Sequence, residues 1–355
     1  MEIKTVRIGA GKGYDVFIGK NLLGSCGDII GEAVKPCRSA IITDSTVEKL
    51  FLETVAESLR NTGFTVSSFS FPAGEQSKTI ETLSNILEFL AENHLTRTDC
   101  VIALGGGVVG DIAGFAAGCY LRGIRYVQIP TTFLAAVDSS VGGKTGVDLK
   151  AGKNLAGMFI QPEAVVCDSD CIARLPDEVF ADGAAEAIKT GILSGEKLFS
   201  LFENGDVKSS LTEVIETCVA FKGRVVEVDE FETGLRKTLN LGHTVGHAIE
   251  KCSNYNISHG HAVAIGMAVI ARAADKLGLS NAPIATRIEK ALIKNGLSIG
   301  TDFSAEELTA AALSDKKRAG DEITLVIPGG IGNCSLKKFP VAELNSVIKT
   351  GLEDQ

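Results

Sequence analysis

Between residues 100 and 120 an apolar strand pattern, Val101-Ile102-Ala103-Leu104, runs straight into Gly105-Gly106-Gly107-Val108-Val109-Gly110-Asp111. A helix pattern of small residues follows, from about Val109 to about Cys119. A strand that ends in glycines and opens a helix leaves few folds available. Glycine lets backbone N–H groups come close to a phosphate, and a helix N-terminus adds a favourable dipole. Such turns belong to open parallel sheets, whose ligands sit beyond the carboxyl ends of the strands. The run is not GxGxxG, so a tight turn under helix–sheet packing is the competing explanation.

The surrounding pattern agrees with a parallel sheet. Residues 2–9 and 14–18 alternate about Gly11-Lys12-Gly13 as a hairpin, and 39–43 is a short buried strand with Asp44 just past its end. A helix pattern runs to about Arg60, a strand over 64–71 ends at Pro72-Ala73-Gly74-Glu75, and 78–93 reads as helix. Another strand is expected over 126–129. Alternating strands and helices predict right-handed crossovers. After Leu175-Pro176 almost everything to about Leu313 reads as helix. A short β pair near 323–327 and 334–336 then precedes a closing helix. With 355 residues, two domains are expected, divided near residue 178.

Hydrophobic content of 45% with 22% charged residues argues for a globular chain. A formal charge of -9 disfavours nucleic acid, and it requires any anionic substrate to find a local basic cluster. No basic-then-apolar leader and no membrane-length apolar run is present, and nine cysteines lack CxxC pairing. A cytoplasmic protein with free thiols is expected, and Cys167 and Cys171 read as packing residues.

Four of the five histidines (His243, His247, His259 and His261) fall within 236–261. His243 and His247 lie four apart in a helix pattern, so their rings share a face. Imidazole is both a common metal ligand and a proton carrier near neutral pH. Glu186 and Lys189 lie three apart in an otherwise small and apolar helix, where a buried carboxylate needs a partner. Lysine is the simplest partner; a metal fed by Glu186 and two histidines would make an open, catalytic zinc-type site. Spacing nominates His243 with His247, and leaves open whether His247 ligates or moves protons. Arg236, Asn240, His243 and His247 recur at spacings of four, three and four, so one helix face could carry all of them.

Asp44 and Glu75, at neighbouring strand ends, could accept from ribose or other hydroxyls. Thr131 and Thr132 could cap the next helix or touch a cofactor. The segment from Asp138 through Lys144, with Lys150, Lys153 and Asn154, could cradle a phosphate, or it could be a solvated hairpin. Its GGKTG lacks the spacing of a P-loop, which excludes an NTPase.

The stretches GGGVVGDIAGFAAGCYLRG, IPTTFLAAVDSSVGGKTGVDLKAGKN, AEAIKTGIL, LRKTLNLGHTVGHAIE, HGHAVAIGM and DKK together resemble the 3-dehydroquinate synthase family of sugar-phosphate cyclases, in order over nearly the whole chain. The resemblance implies an α/β N-terminal domain, residues 1–178, with a Rossmann-like parallel sheet that binds NAD. A mainly α-helical domain, residues 179–355, would bind metal and substrate, with the active site in the cleft between the two. A homodimer, NAD and one divalent metal, zinc or cobalt, are implied. The implied reaction converts 3-deoxy-D-arabino-heptulosonate 7-phosphate to 3-dehydroquinate and phosphate, in the shikimate pathway of aromatic amino acid biosynthesis. It proceeds by transient oxidation with NAD, phosphate elimination, reduction and intramolecular aldol closure.

The metal ligands so implied are Glu186, His243 and His259, which moves His247 to substrate contact or proton handling. NAD would meet Asp44, Glu75, Lys78, Gly106, Gly107, Val108 and Asp111, then Thr131, Thr132 and the segment from Cys171 to Arg174. Lys144 and Lys153 would serve both NAD and substrate. Asp138, Asn154, Lys189, Lys222, Arg236, Asn240 and His247 complete the implied catalytic set. The phosphate would meet Lys153, Lys316 or Lys317, and Arg122 lent by a second copy. Two residues depart from the family: Thr46, where asparagine is common, and His261, where Glu or Gln is usual.

Overall fold

The computed structural model describes residues 2–313 and 321–353. Its first strands are β1 (Lys4–Ile8) and β2 (Tyr14–Gly19), followed by α1 (Cys26–Ala33), β3 (Arg38–Asp44), α2 (Glu53–Asn61) and β4 (Thr65–Phe71). Then come α3 (Ile80–Glu92), β5 (Cys100–Gly105), α4 (Gly107–Cys119) and β6 (Arg125–Pro130). A hairpin of β7 (Lys144–Leu149) and β8 (Gly152–Phe159) leads to β9 (Ala164–Asp168) and α5 (Ser169–Ala173). The remaining helices are α6 (Asp177–Ser194), α7 (Glu196–Asn204), α8 (Leu211–Val228), α9 (His243–Cys252), α10 (His259–Lys276), α11 (Ala285–Lys294) and α12 (Ala305–Leu313). Strands β10 (Glu322–Gly330) and β11 (Asn333–Pro340) and helix α13 (Leu344–Leu352) close the chain.

Two compact units result: Met1–Leu175 with Leu211–Phe231, and Pro176–Ser210 with Glu232–Gln355. A single cut near 178 therefore does not describe the chain, because α8 returns to the first unit. Its apolar face (Val214, Ile215, Cys218, Val219) is buried, and Gly9 N donates to the Glu227 carboxylate at 2.5 Å. A helix pattern records an apolar stripe but not which core receives it.

In the first unit a seven-stranded sheet runs β1-β2-β9-β6-β5-β3-β4. Only β1 is antiparallel to its neighbour. Strand β5 is buried along its whole length, as a parallel strand covered on both faces must be. The connection from β3 leads outward to β4, while β5 lies on the other side of β3 and leads to β6. The order of the strands therefore reverses between the parallel β3 and β5, and there an open α/β sheet forms its binding crevice. Strand β9 was not apparent from the sequence. It is only five residues long, and pairs in parallel with β2 and β6. Helix α3 starts at Ile80 rather than 78, because Thr79 is its cap and accepts from Thr82 N at 3.1 Å.

The second unit is mainly helical, with α6, α9 and α10 at its centre. Helices α9 and α10 touch through backbone: a Cβ on Gly266 would lie 2.1 Å from the Gly242 carbonyl oxygen. Helix α10 meets α6 in the same way, since a Cβ on Gly260 would lie 2.0 Å from the Asp182 carbonyl oxygen. No side chain fits at either crossing, so glycine sets both approaches. Among the described residues, no helix is long and apolar enough to cross a membrane, and none of the nine cysteines is in a disulfide.

Gly266→Ala should force α9 and α10 apart and cost about 1–3 kcal/mol of stability, read by urea denaturation; an unchanged midpoint would contradict the close approach. In the first unit, buried Asp168 accepts from Asn21 N, Leu23 N and Asp170 N at 3.1, 3.1 and 2.9 Å. Asp168→Ala should cost on the order of 3 kcal/mol, since it strips a helix cap and leaves backbone donors unpaired. A loss below about 0.5 kcal/mol would show those bonds to be dispensable.

Candidate metal centre and nucleotide-binding edge

Helix α6 is lined with Ala184, Ala185, Ala187 and Gly191, and this small-residue surface lets Glu186 sink to 0% exposure. A carboxylate so buried is costly unless neighbouring charges compensate it. Lys189, one turn on and itself buried, pairs with Glu186 Oε2. The other oxygen, Oε1, makes no hydrogen bond. It faces His243 Nε2 at 3.7 Å and His259 Nε2 at 3.4 Å, ion-pair distances rather than aligned hydrogen bonds.

Each histidine has its second ring nitrogen engaged. His243 Nδ1 lies 3.1 Å from the Leu241 carbonyl oxygen, and His259 Nδ1 lies 3.1 Å from Glu250 Oε2. The Nδ1 contacts leave Nε2 of each ring as the atom that can bind a cation, in His259 by displacing its Nε2 proton. The ligand atoms of Glu186, His243 and His259 lie within 4.8 Å of one another. Two imidazole nitrogens and a carboxylate oxygen suit a borderline divalent ion, with further positions left for other ligands. The buried, unbonded Oε1 is the observation by which this donor set fits such an ion.

The charge balance points the same way. Burial would raise the Glu186 carboxyl, but Lys189 and the two histidines hold it well below the usual carboxylate range. Burial and Lys189 push His243 well below an ordinary imidazole, so its ring is neutral. Burial would also lower His259, yet contact with Glu186 and Glu250 lifts it to about 10. A proton on His259 thus compensates two carboxylates, and a cation on Nε2 would compete for that role.

Helix geometry supplies the positions. His243 and His259 are each the first residue of a helix. Asp182, one turn before Glu186, accepts from Ser258 Oγ at 2.7 Å and His261 N at 3.1 Å, which fastens the start of α10 to α6. His247 lies on the α9 face with His243, ring centroids 5.4 Å apart, and groups with Glu250 and His259 rather than with Glu186. His261 has a buried Nε2 that makes no hydrogen bond.

The single helix face expected for Arg236, Asn240, His243 and His247 does not form. Arg236 and Asn240 belong to a 3-10 turn, Leu235–Asn240, and the path then breaks at Leu241 and at Gly242, with φ 79°. Only glycine fits there, for a Cβ at 242 would lie 2.8 Å from the Val263 carbonyl oxygen. Arg236 is buried all the same, and Asn240 Nδ2 donates to Glu232 Oε1 at 2.7 Å. Glu250 was passed over in the sequence, although it repeats the His243 and His247 face at spacings of four and three.

In the first unit the expected nucleotide contacts gather at one edge. Asp44 ends β3, Gly106 to Val108 open α4 beyond β5, Thr131 and Thr132 follow β6, and Cys171 and Arg174 follow β9. Asp44 Oδ1 accepts from Thr46 N at 2.8 Å and Val47 N at 3.0 Å, so Thr46 takes part through backbone. Thr132 Oγ1 accepts from Ala135 N at 3.2 Å and caps the following turn. Thr131 Oγ1 is buried without a hydrogen bond. Cys171 is buried, its thiol donating to the Asp168 carbonyl at 3.1 Å, while Arg174 is exposed.

The lysine-rich stretch forms the β7–β8 hairpin. Lys78, buried beside the hairpin, binds Asp111 at 2.6 Å and Asn154 Oδ1 at 2.5 Å; burial opposes its charge, but Asp111 and Glu75 keep it raised. Asn154 N donates to Asp148 Oδ1 at 2.7 Å, an acceptor the sequence did not single out. Lys153 lies 3.5 Å from Glu75, and Lys144 is exposed. Lys222 on α8 donates to the Asp138 carbonyl and carboxylate at 2.7 and 2.6 Å. Arg122 is exposed with φ 67°, and Lys316 and Lys317 lie outside the described residues.

Comparison with known proteins bears on the whole chain. Residues 68–182 match the 3-dehydroquinate synthase N-terminal family model, and 183–318 match the C-terminal one. The 3-dehydroquinate synthase of Streptococcus suis is 42% identical over 93% of this chain and 95% of its own length. That of Clostridium kluyveri is 39% identical over 94% of each. The structure resembles a 2-deoxy-scyllo-inosose synthase crystallised with carbaglucose-6-phosphate, NAD+ and Co2+, at TM-score 0.88 and 27% identity, covering 98% of this chain and all of that one. It also resembles the 2-epi-5-epi-valiolone synthase of Streptomyces hygroscopicus with NAD+ and Zn2+, at TM-score 0.86 and 26% identity, covering 96% and 97%. A glycerol dehydrogenase from Schizosaccharomyces pombe, at TM-score 0.65 and 16% identity over 94% of this chain and 87% of its own, shares the fold. By its two matched domains and its near full-length relatives, this chain belongs to the 3-dehydroquinate synthase family.

Proposed function

We propose that this protein is a 3-dehydroquinate synthase, a phosphate-eliminating carbon–oxygen lyase that converts 3-deoxy-D-arabino-heptulosonate 7-phosphate to 3-dehydroquinate and phosphate. The observation that carries the proposal is the unbonded Glu186 Oε1 turned toward two imidazole Nε2 atoms, in a chain with near full-length relatives of that name. Glu186, His243 and His259 would hold one zinc or cobalt ion. The edge built from Asp44, Glu75, Gly106 to Val108 and Thr131 would hold NAD. When bound, the ion polarises a substrate hydroxyl and NAD takes up and returns a hydride, so the nicotinamide ends unchanged.

The protein's own groups do the rest. Lys189 neutralises Glu186 Oε2 and so presents Oε1 in a fixed direction. Asp138 aims the Lys222 ammonium by accepting from it twice. Lys144, Lys153, Lys316 or Lys317, and Arg122 of a second copy supply the positive charge that a phosphorylated substrate needs against a chain of net charge -9. Arg236, planar and permanently charged, suits the substrate carboxylate. The half-buried His247 imidazole would hold or pass a proton at the reacting oxygens, and the Asn240 and Asn154 amides would each bond substrate hydroxyls.

Glu186→Ala and His243→Ala should each lose bound metal, measured by atomic absorption, and lower turnover of the heptulosonate phosphate by on the order of 100-fold or more. Full activity in a variant shown to lack metal would overturn the ligand assignment. Turnover of a different sugar phosphate in place of the heptulosonate would move the protein to a related cyclase.

A further inference from the structure

We propose that Glu250 is the positioning residue of the metal centre: it acts on the ion through His259 without touching it, and so sets metal affinity. This rests on the metal-binding role given above to Glu186, His243 and His259. Glu250 is 4% exposed, and its Oε2 lies 3.1 Å from His259 Nδ1. The opposite nitrogen of the same ring, Nε2, faces Glu186 Oε1 at 3.4 Å. A carboxylate that accepts the Nδ1 proton fixes the tautomer, turns the ring and makes Nε2 a better donor.

Position in the chain gives the contact a further consequence. Glu250 is seven residues after His243 on α9, so both side chains leave one helix face two turns apart. His259 comes from α10. Helix α9 therefore supplies one histidine directly and orients the other across the glycine crossing. The Leu241 carbonyl plays the matching part for His243, at 3.1 Å from Nδ1. One ring is steered by a neutral acceptor and the other by an anion, so the His259 bond is the stronger of the two.

His247, Glu250 and His259 also bring ligand atoms within 4.8 Å of one another. If Glu250 ligated a metal there, it would no longer position His259, so stoichiometry separates the two roles. The test titrates zinc and cobalt into wild-type, Glu250→Gln and Glu250→Ala proteins against a chromophoric chelator. One equivalent should bind. Glu250→Gln, which keeps the volume and an acceptor oxygen, should bind about 10- to 100-fold more weakly, and Glu250→Ala more weakly still. The cobalt absorption bands should shift, while metal-free Glu250→Gln stays folded, with the far-ultraviolet circular dichroism of the wild type.

A measurement on the wild type needs no variant to fold. The cobalt-loaded protein should show two exchangeable, paramagnetically shifted imidazole N–H resonances, one for His243 and one for His259. Only one such resonance, unchanged zinc affinity in both variants, or a second metal equivalent lost with Glu250 would each overturn the proposal. If wild-type protein binds no metal at all, the metal-centre assignment fails first and the role of Glu250 falls with it.

Discussion

A carboxylate with no exposed surface and one unbonded oxygen is the feature on which the second unit turns. Glu186 can occupy that place only because α6 is made of small residues there, and because Lys189 and His259 supply opposing charge. In a medium of low polarity such a group is costly unless it is compensated. The surrounding structure is consistent with that demand. Asp182 fixes the start of α10, glycines let α9 and α10 meet backbone to backbone, and Leu241 and Glu250 turn the two rings inward.

The first unit follows a different logic, that of a sheet edge. Short loops leave β3, β5, β6 and β9 in the same direction, and the strand order reverses between β3 and β5. The glycines after β5 keep the start of α4 open to close approach, while side chains from the other strand ends stand around it. Cations here are held in place by anions and amides. Lys78 is pinned by Asp111 and Asn154, and Lys222 by Asp138. Side chains already ordered by such pairing would lose less entropy on meeting a ligand.

Much of this was legible in the sequence, for local reasons. The run from β5 into α4 is one continuous signal, and the rarity of histidine outside 236–261 marks the candidate metal centre. Other features depend on long-range packing and leave little local trace. Helix α8 carries an ordinary apolar stripe that does not say which core it joins. Strand β9 is too short to show a period. Spacings of four, three and four suggested one helix through Arg236 and His247, but the left-handed Gly242, packed against α10, interrupts it. Glu250 was visible within the same motif as the histidines. Its importance appears only once a residue from another helix, His259, stands against it.

The central claim is that oxidation and reduction cancel within one turnover, and phosphate measured alongside reduced nicotinamide tests it most directly. The purified protein would be mixed with 3-deoxy-D-arabino-heptulosonate 7-phosphate, zinc or cobalt, and NAD well below the substrate concentration. Phosphate should exceed the NAD supplied many times over, with no lasting NADH absorbance. NADH accumulating in step with product would contradict the account and indicate a dehydrogenase on the same fold.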